Sequence, residues 1–152
     1  MDKTRSPKDV ALALVDADAN GRWEELTDLY AERTHVVLPL LPSRRPAFTT
    51  RDELRELFGA SGSGPRPQRR AANVTIHETA DPEVVIAEFE YQGTVGATGE
   101  PYTLPGIFVL RVRDGEIVSS RDYFDHATAA RIKGQLDTFI AAVKTGGAGS
   151  AR

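Results

Sequence analysis

The sequence predicts an α+β domain in which a curved, mainly antiparallel sheet wraps around N-terminal helices and is followed by a C-terminal helix. Two helical patterns open the chain, four strand candidates follow one another in the second half, and a last helical pattern comes after them. The chain has 152 residues, the size of one domain with a substantial core. We expect residues 1–145 to form this domain and the glycine-rich residues 146–152 to form a disordered tail.

The N-terminal elements begin with a helix start signal. Ser6 precedes Pro7, and proline suits the first helical position because its missing N–H is not needed there. Apolar residues then recur at helical spacing until Gly21, which suits a left-handed cap. The elements predicted in this part are helices from residue 7, over residues 23–30 and from a Thr50 cap to about residue 58, and a strand over residues 34–38.

The second half of the chain is predicted to be mostly strand. Residues 61–70 are rich in Gly and Pro without periodicity, so we expect a mobile loop. Strand patterns follow at residues 73–78, 84–94, 102–113 and 116–124, and a helix at about residues 127–143. Asp114-Gly115 between the last two strands predicts a tight hairpin turn, because both residues tolerate positive φ angles.

Composition narrows the classes of function. The formal net charge of −3 gives no electrostatic case for binding nucleic acid or an anionic membrane. The absence of cysteine excludes disulfides and thiolate metal sites, and the three histidines lack the spacing of metal ligands. No segment approaches the length of a membrane span. We therefore expect a cytoplasmic protein with no metal and no cofactor.

The last predicted strand carries the most informative side chain, Asp122. Alternation places Val118, Ser120, Asp122 and Phe124 on one face of this strand. The preceding strand also has one strongly apolar face. If the apolar faces of the two strands look the same way, Asp122 points into an apolar interior. A carboxylate there is costly unless it is paired or protonated, which makes it a candidate functional group.

Residues 114–118 (DGEIV) leading into residues 121–125 (RDYFD) resemble the SnoaL-like group of the nuclear-transport-factor-2-like superfamily. The helix that ends in residues 29–34 (LYAERT) before a strand matches the opening of that family. The resemblance covers roughly residues 10–132 and implies a cone-shaped fold with a deep pocket and a homodimer formed through the sheet. The superfamily includes ketosteroid isomerases, polyketide cyclases and limonene epoxide hydrolases, beside many non-catalytic members.

Limonene epoxide hydrolases also read Arg-Asp-Tyr-Phe-Asp in the last strand, and the Asp of their Arg-Asp pair belongs to a catalytic Asp–Arg–Asp triad. That position falls on Asp122. The other two triad positions fall on Phe89 and Tyr91, and the Tyr and Asn that hold the attacking water fall on Val36 and Leu38. Because nothing remains there to activate water, the resemblance does not extend to ordinary epoxide hydrolysis.

The resemblance implies a small cofactor-free enzyme, a cyclase, an isomerase or an epoxide-hydrolase-like hydrolase, with acid/base catalysis by Asp122 as in the related isomerases and cyclases. A carboxyl in an apolar pocket has a raised pKa and can move a proton beside a carbonyl, while a second donor, for which Tyr91 is the candidate, stabilises the enolate. We expect a flat or polycyclic apolar substrate of polyketide or terpene type. The residues predicted to line its pocket are Trp23, Tyr30, Phe89, Tyr102, Phe108 and Phe124.

Other interpretations stay open. The protein is alternatively a non-catalytic binder of a hydrophobic ligand, or an interaction module that dimerises through the outer face of its sheet. Asp122 then serves as a structural carboxylate, and the aromatic residues serve as core. Arginines at positions 44, 45, 66, 69 and 70 fall in two predicted loops. They form either a solvated surface or a site for a phosphate, a carboxylate or an acidic carrier protein.

Overall fold

The computed structural model describes residues 5–43, 46–61 and 68–146. Its helices are α1 (Pro7–Ala19), α2 (Trp23–Asp28), α3 (Arg51–Ser61), α4 (His126–Ile132) and α5 (Leu136–Lys144). Its strands are β1 (Arg33–Val37), β2 (Phe48–Thr50), β3 (Arg69–Glu78), β4 (Val84–Thr94), β5 (Pro101–Arg113) and β6 (Glu116–Phe124). Within those residues, the strands form one sheet in the order β2-β1-β6-β5-β4-β3. β1 and β6 pair in parallel and the other neighbours pair antiparallel, so the predicted α+β fold with a mixed sheet is confirmed.

Helix α1 begins and ends as its sequence predicts. The Ser6 side chain accepts a hydrogen bond from the Asp9 backbone N–H at 3.1 Å, and Gly21 has a φ of 65° just beyond the helix. The buried side of α1, which includes Val10 and Leu14, packs on β3, β4 and β5. This contact places the last turn of α1 over the inner face of the sheet. None of the helices in the described ranges is long and apolar enough to cross a membrane.

Three element predictions are corrected. The three-residue strand β2 was not predicted, since its pairing with β1 leaves almost no sequence pattern. The C-terminal helix is two helices, because Gly134 adopts a φ of 70° between them. The predicted loop over residues 61–70 is wrong at both ends, because α3 runs to Ser61 and β3 begins at Arg69. Arginines 44, 45 and 66 and residues 147–152 of the predicted tail lie outside the described ranges.

The β5–β6 hairpin turns where predicted, with φ angles of 52° at Asp114 and 75° at Gly115. The alternation on β6, however, is interrupted by a bulge. Arg111 pairs with residue 119 but Val112 pairs with Ile117, so Val118 is the extra residue. Ile117 is therefore fully buried, and the predicted placement of Val118 on the inner face is wrong. Beyond the bulge, residues 120, 122 and 124 keep the predicted inward face.

Candidate active site

A cavity of about 110 Å³ lies between the helices and the inner face of the sheet. Its wall is apolar except for the carboxyls of Asp18 and Asp122 and the phenol of Tyr30. The residues that line it are Leu14, Asp18, Leu26, Tyr30, Val36, Leu38, Phe48, Leu54, Leu57, Phe58, Phe108, Asp122 and Phe124. Hollows of up to about 600 Å³ lie on the outer surface of the described chain. We place the candidate site in the smaller cavity because two desolvated carboxyls face it.

Asp122 lies on β6 opposite Phe108 of β5, and the Ser120 hydroxyl donates a hydrogen bond to its Oδ1. Some surface of the Asp122 residue remains accessible, but the residue lines the cavity and protein surrounds its carboxyl. Burial raises the pKa of Asp122 to about 7, with the Ser120 hydrogen bond lowering it and the charge of Asp18 raising it. The carboxyl therefore changes its protonation state near neutral pH.

Asp18, in the last turn of α1, is held by two partners behind the cavity wall. The Tyr91 hydroxyl donates to Asp18 Oδ2 at 2.6 Å, and a guanidinium nitrogen of Arg69 lies 3.8 Å from Oδ1. Arg69 also donates to the backbone carbonyls of Asp18 at 2.9 Å and Ala19 at 3.2 Å, and its guanidinium lies 4.2 Å above the Tyr91 ring. Burial raises the pKa of Asp18, whereas Arg69 and Tyr91 lower it.

The two carboxyls therefore differ in environment. Asp18 has a cation and a phenol beside it, while the one hydrogen bond that favours ionisation of Asp122 comes from Ser120. We expect Asp18 to ionise first and its charge to keep the second proton on Asp122. The different environments of the two carboxyls therefore make Asp122 a base whose pKa lies near neutral pH.

The sequence analysis missed Asp18 and Arg69. The sequence analysis did not single out Asp18, although it lies four residues after Leu14 and three after Val15, both buried on the apolar side of α1. Asp16, by contrast, lies on the solvent side with a 63% exposed side chain. The helical period was thus the signal for Asp18. Arg69 was placed in a mobile loop, and no local pattern predicts its contact with α1.

Half of the predicted site residues line the cavity: Asp122, Tyr30, Phe108 and Phe124. Phe89 and Tyr91 stand behind them in an aromatic cluster, since the Phe89 ring lies 4.8 Å from Phe108 and 4.9 Å from Tyr91 between centroids. The Tyr91 hydroxyl is directed at Asp18, so the geometry does not support the predicted role of Tyr91 as a direct donor to the substrate.

Trp23 and Tyr102 lie outside this cavity, contrary to the prediction for the pocket wall. The Trp23 ring stacks on Phe58, with centroids 5.8 Å apart and planes 5° apart, and lines an outer groove between α2 and α3. Tyr102 lies near the beginning of β5, opposite Gly93 of β4. Neither side chain is among those that line the cavity with the two carboxyls.

The volume of the cavity corrects the expected size of the substrate. Engineered protein cavities of about 150 Å³ accept benzene, and the cavity beside Asp122 is smaller at about 110 Å³. A polycyclic molecule does not fit this volume as it stands. Val36 and Leu38, whose positions the resemblance to limonene epoxide hydrolases aligns with water-holding residues, line the wall of the cavity.

The family of SnoaL-like domains matches residues 11–120, which is most of the chain. The protein belongs to the SnoaL-like domain family. The uncharacterized PhzA/B-like protein PA3332 of Pseudomonas aeruginosa is 34% identical over 115 residues, covering 74% of this chain and 76% of that protein. The uncharacterized protein YesE of Bacillus subtilis is 47% identical over 51 residues, which cover 34% of this chain and only 35% of YesE.

Solved structures show the same fold. One from Bacillus subtilis, named a "putative isomerase", has a TM-score of 0.73 and 24% identity, covering 89% of this chain and 97% of that one. Another from Pseudomonas putida KT2440, named a "putative polyketide cyclase", has a TM-score of 0.63 and 17% identity, covering 80% of this chain and 92% of that one. The ketosteroid isomerase-like cone predicted from the sequence is thereby confirmed. Homodimer formation and cytoplasmic location stay predictions.

Proposed function

We propose that the protein is a cofactor-free enzyme of the isomerase or cyclase type, which moves a proton on an apolar carbonyl compound with Asp122 as the acid/base. The observation that carries this proposal is the Asp122 carboxyl on the wall of a mainly apolar cavity, where burial raises its pKa to about 7. General acid/base catalysis is most efficient when the pKa of the catalytic group lies near the working pH. The names of two structural relatives, "putative isomerase" and "putative polyketide cyclase", agree with this class of reaction.

The reaction follows from the chemistry of a single carboxylate. Ionised Asp122 removes a proton from the carbon beside the carbonyl, and the electron pair of that C–H bond forms the enolate. In an isomerase, the neutral carboxylic acid returns the proton to a different carbon. In a cyclase, the enolate carbon attacks a second carbonyl of the same molecule, and the proton goes to the alkoxide that results. Both routes regenerate the Asp122 carboxylate and conserve charge.

Asp18 and Tyr91 act on this reaction as positioning residues. The Asp18 charge, held by Arg69 and Tyr91, raises the pKa of Asp122 and so makes it a stronger base. The apolar wall selects an apolar substrate. We infer a polyketide- or terpene-like metabolite whose reacting end, rather than the whole molecule, occupies the 110 Å³ beside Asp122.

The test needs no knowledge of the natural substrate. Small ketones such as butanone and cyclopentanone exchange the hydrogens beside their carbonyl for deuterium in D₂O, which proton NMR follows directly. The protein is expected to accelerate this exchange, and Asp122→Asn to abolish the acceleration. Asp28→Asn, the same change at an exposed position, serves as the matched control. Equal rates with the wild-type protein and with Asp122→Asn would refute the proposal.

The second candidate function is binding of a hydrophobic ligand without chemistry. It is favoured by Val36 and Leu38, which give the cavity an apolar wall where limonene epoxide hydrolases hold a water molecule. Under this alternative, the protein binds cyclopentanone equally well before and after the Asp122→Asn change and exchanges no hydrogen in either case.

A further inference from the structure

His126 carries a polar atom that the site in the cavity does not use. It is the first residue of α4, and its imidazole Nε2 is buried without a hydrogen-bond partner among the described residues. A buried polar atom left unpaired costs free energy, so native proteins seldom keep one without a reason. His126 lines a groove of about 240 Å³ between residues 41–43 and helices α4 and α5, which we call the helix groove.

The helix groove continues two walls of the cavity. On one side, Leu38 lines the cavity and Leu41 lines the groove, and the Leu41 backbone N–H donates to the Leu38 carbonyl at 3.1 Å. On the other side, Phe124 lines the cavity, and its ring meets that of His126 edge-on with centroids 6.3 Å apart. Four residues of chain span at most about 14 Å, so one molecule of moderate length can reach from Asp122 to His126.

The volume of the cavity leaves most of the proposed substrate without a place. Ligand pockets usually enclose about 300–1,000 Å³, whereas the cavity beside Asp122 encloses about 110 Å³. The helix groove is larger, at about 240 Å³, and Phe139 and Ala142 of α5 give it an apolar side. It can therefore hold an apolar chain whose reacting end lies in the cavity.

Lys133 brings a positive charge to the helix groove. It is exposed, lines the groove from the end of α4, and forms no ion pair with any residue in the described part of the chain. Burial lowers the pKa of His126, and Lys133 lowers it further against the opposing charge of Asp125, so the imidazole is neutral at neutral pH. Lys133 also opposes the rise that burial causes in the pKa of Asp18. An unpaired cation that acts on both the groove and the cavity favours a ligand with a negative charge.

Helices α4 and α5 are loosely held to the rest of the protein. Both are fully described, and neither contains a buried residue. Helix α4 packs on α5 and, on the sheet side, against β5. Segments with few buried contacts open at a low cost in free energy, so a small outward movement of α4 gives a ligand access to the buried Nε2 of His126.

We propose that the helix groove is a second binding site, which takes a carboxylate at the far end of the substrate and binds it through His126 and Lys133. The Nε2–H of the imidazole and the ammonium group of the lysine donate hydrogen bonds to the carboxylate oxygens. This inference rests on the proposed function and specifies its substrate: an apolar keto acid, in which a hydrocarbon chain separates the reacting ketone from the carboxylate.

The first experiment compares the binding of two ketones of equal length to the full chain by titration calorimetry. 8-Oxononanoate has a methyl ketone at one end and a carboxylate at the other, and 2-nonanone has a methyl group in place of the carboxylate. We expect the keto acid to bind more tightly, and His126→Phe and Lys133→Met each to raise its Kd by about tenfold or more, because a hydrogen bond to a charged group contributes that much. Lys144→Met makes the same change at the exposed end of α5 and is expected to bind as the wild-type protein does. Equal affinity for the two ketones, or a preference for the keto acid that survives in both variants, overturns the proposal.

A second measurement locates the carboxylate within the protein. The chain has three histidines, and the ring Cε1–H resonance of His126 in the proton NMR spectrum is assigned by its loss in His126→Phe. We expect 8-oxononanoate to shift this resonance and 2-nonanone to shift it much less, while the resonances of His35 and His77 keep their positions. Equal shifts of the His126 resonance with the two ketones contradict the assignment of the carboxylate to His126.

Binding needs no turnover, so the outcome for the helix groove and the outcome for the proposed function are distinguishable. A preference for the keto acid that depends on His126 and Lys133, without deuterium exchange by the wild-type protein, overturns the proposed function and keeps the carboxylate site. Exchange of cyclopentanone by the wild-type protein, with equal affinity for the two longer ketones, overturns the carboxylate site alone. Absence of both the preference and the exchange overturns both.

Discussion

Replacement of Asp122 by asparagine is expected to stabilise the protein at neutral and alkaline pH and to change nothing in acid. Burial raises the pKa of Asp122 from 3.8 in the unfolded chain to about 7 in the folded protein. Between these values the folded state binds more protons than the unfolded state, so the free energy of unfolding falls as the pH rises through this window. Below the window both states carry the proton, and the cost disappears.

The magnitude follows from the two pKa values. Their difference, 7 minus 3.8, is about 3 units, and each unit corresponds to roughly 1.4 kcal/mol, so the full cost above pH 7 is about 4 kcal/mol. Because burial of the asparagine amide has a cost of its own, we expect a gain in the free energy of unfolding of about 2–4 kcal/mol for Asp122→Asn at alkaline pH.

Urea unfolding followed by the fluorescence of Trp23, the single tryptophan, measures this gain over a series of pH values. Asp28→Asn removes an exposed carboxylate and is the control, with no comparable change across the series. If Asp122→Asn is no more stable than the wild-type protein at alkaline pH, or if its effect is the same at every pH, Asp122 ionises as it would in water. The cavity would then be wet, and the argument for a tuned base would fail.

Two further predictions concern the neighbours of this carboxyl and the cluster behind it. Asp18→Asn is expected to lower the pKa of Asp122, because it removes a nearby negative charge, and Ser120→Ala is expected to raise it, because it removes a hydrogen bond to the ionised form. Carbon-13 NMR titration of the Asp122 carboxyl measures both pKa shifts. Shifts in the same direction would contradict the assignment. Gly106→Ala would place a Cβ 2.6 Å from the Phe89 ring, so we expect a loss of about 1–3 kcal/mol in urea unfolding. The same change at Gly96, where an added Cβ meets no atom within 4 Å, is expected to be nearly neutral. Equal urea midpoints for the two variants would show that the aromatic cluster accommodates the extra methyl group without cost.

The candidate site was predictable only in part. The inward position of Asp122 was predictable, because the alternation of side chains along a strand is a local pattern and the same face of β6 carries apolar residues. Asp18 was also within reach, since its position on the apolar side of α1 follows from the helical period. Arg69 was not, because its contact with α1 joins segments some fifty residues apart. The partner of Tyr91 was not predictable for the same reason, because the contact between Tyr91 and Asp18 is a long-range one.

The sequence by itself determined the order of the main helices and strands, the hairpin at Asp114-Gly115 and the α+β class, because caps, turns and periodicity act between near neighbours. The tertiary structure alone decided the bulge at Val118, the pairing of the short β2 with β1 and the parallel pairing of β1 with β6. It also decided the size of the cavity. Each of these features depends on packing between side chains that are far apart in the sequence, and such packing produces no periodic pattern along the chain.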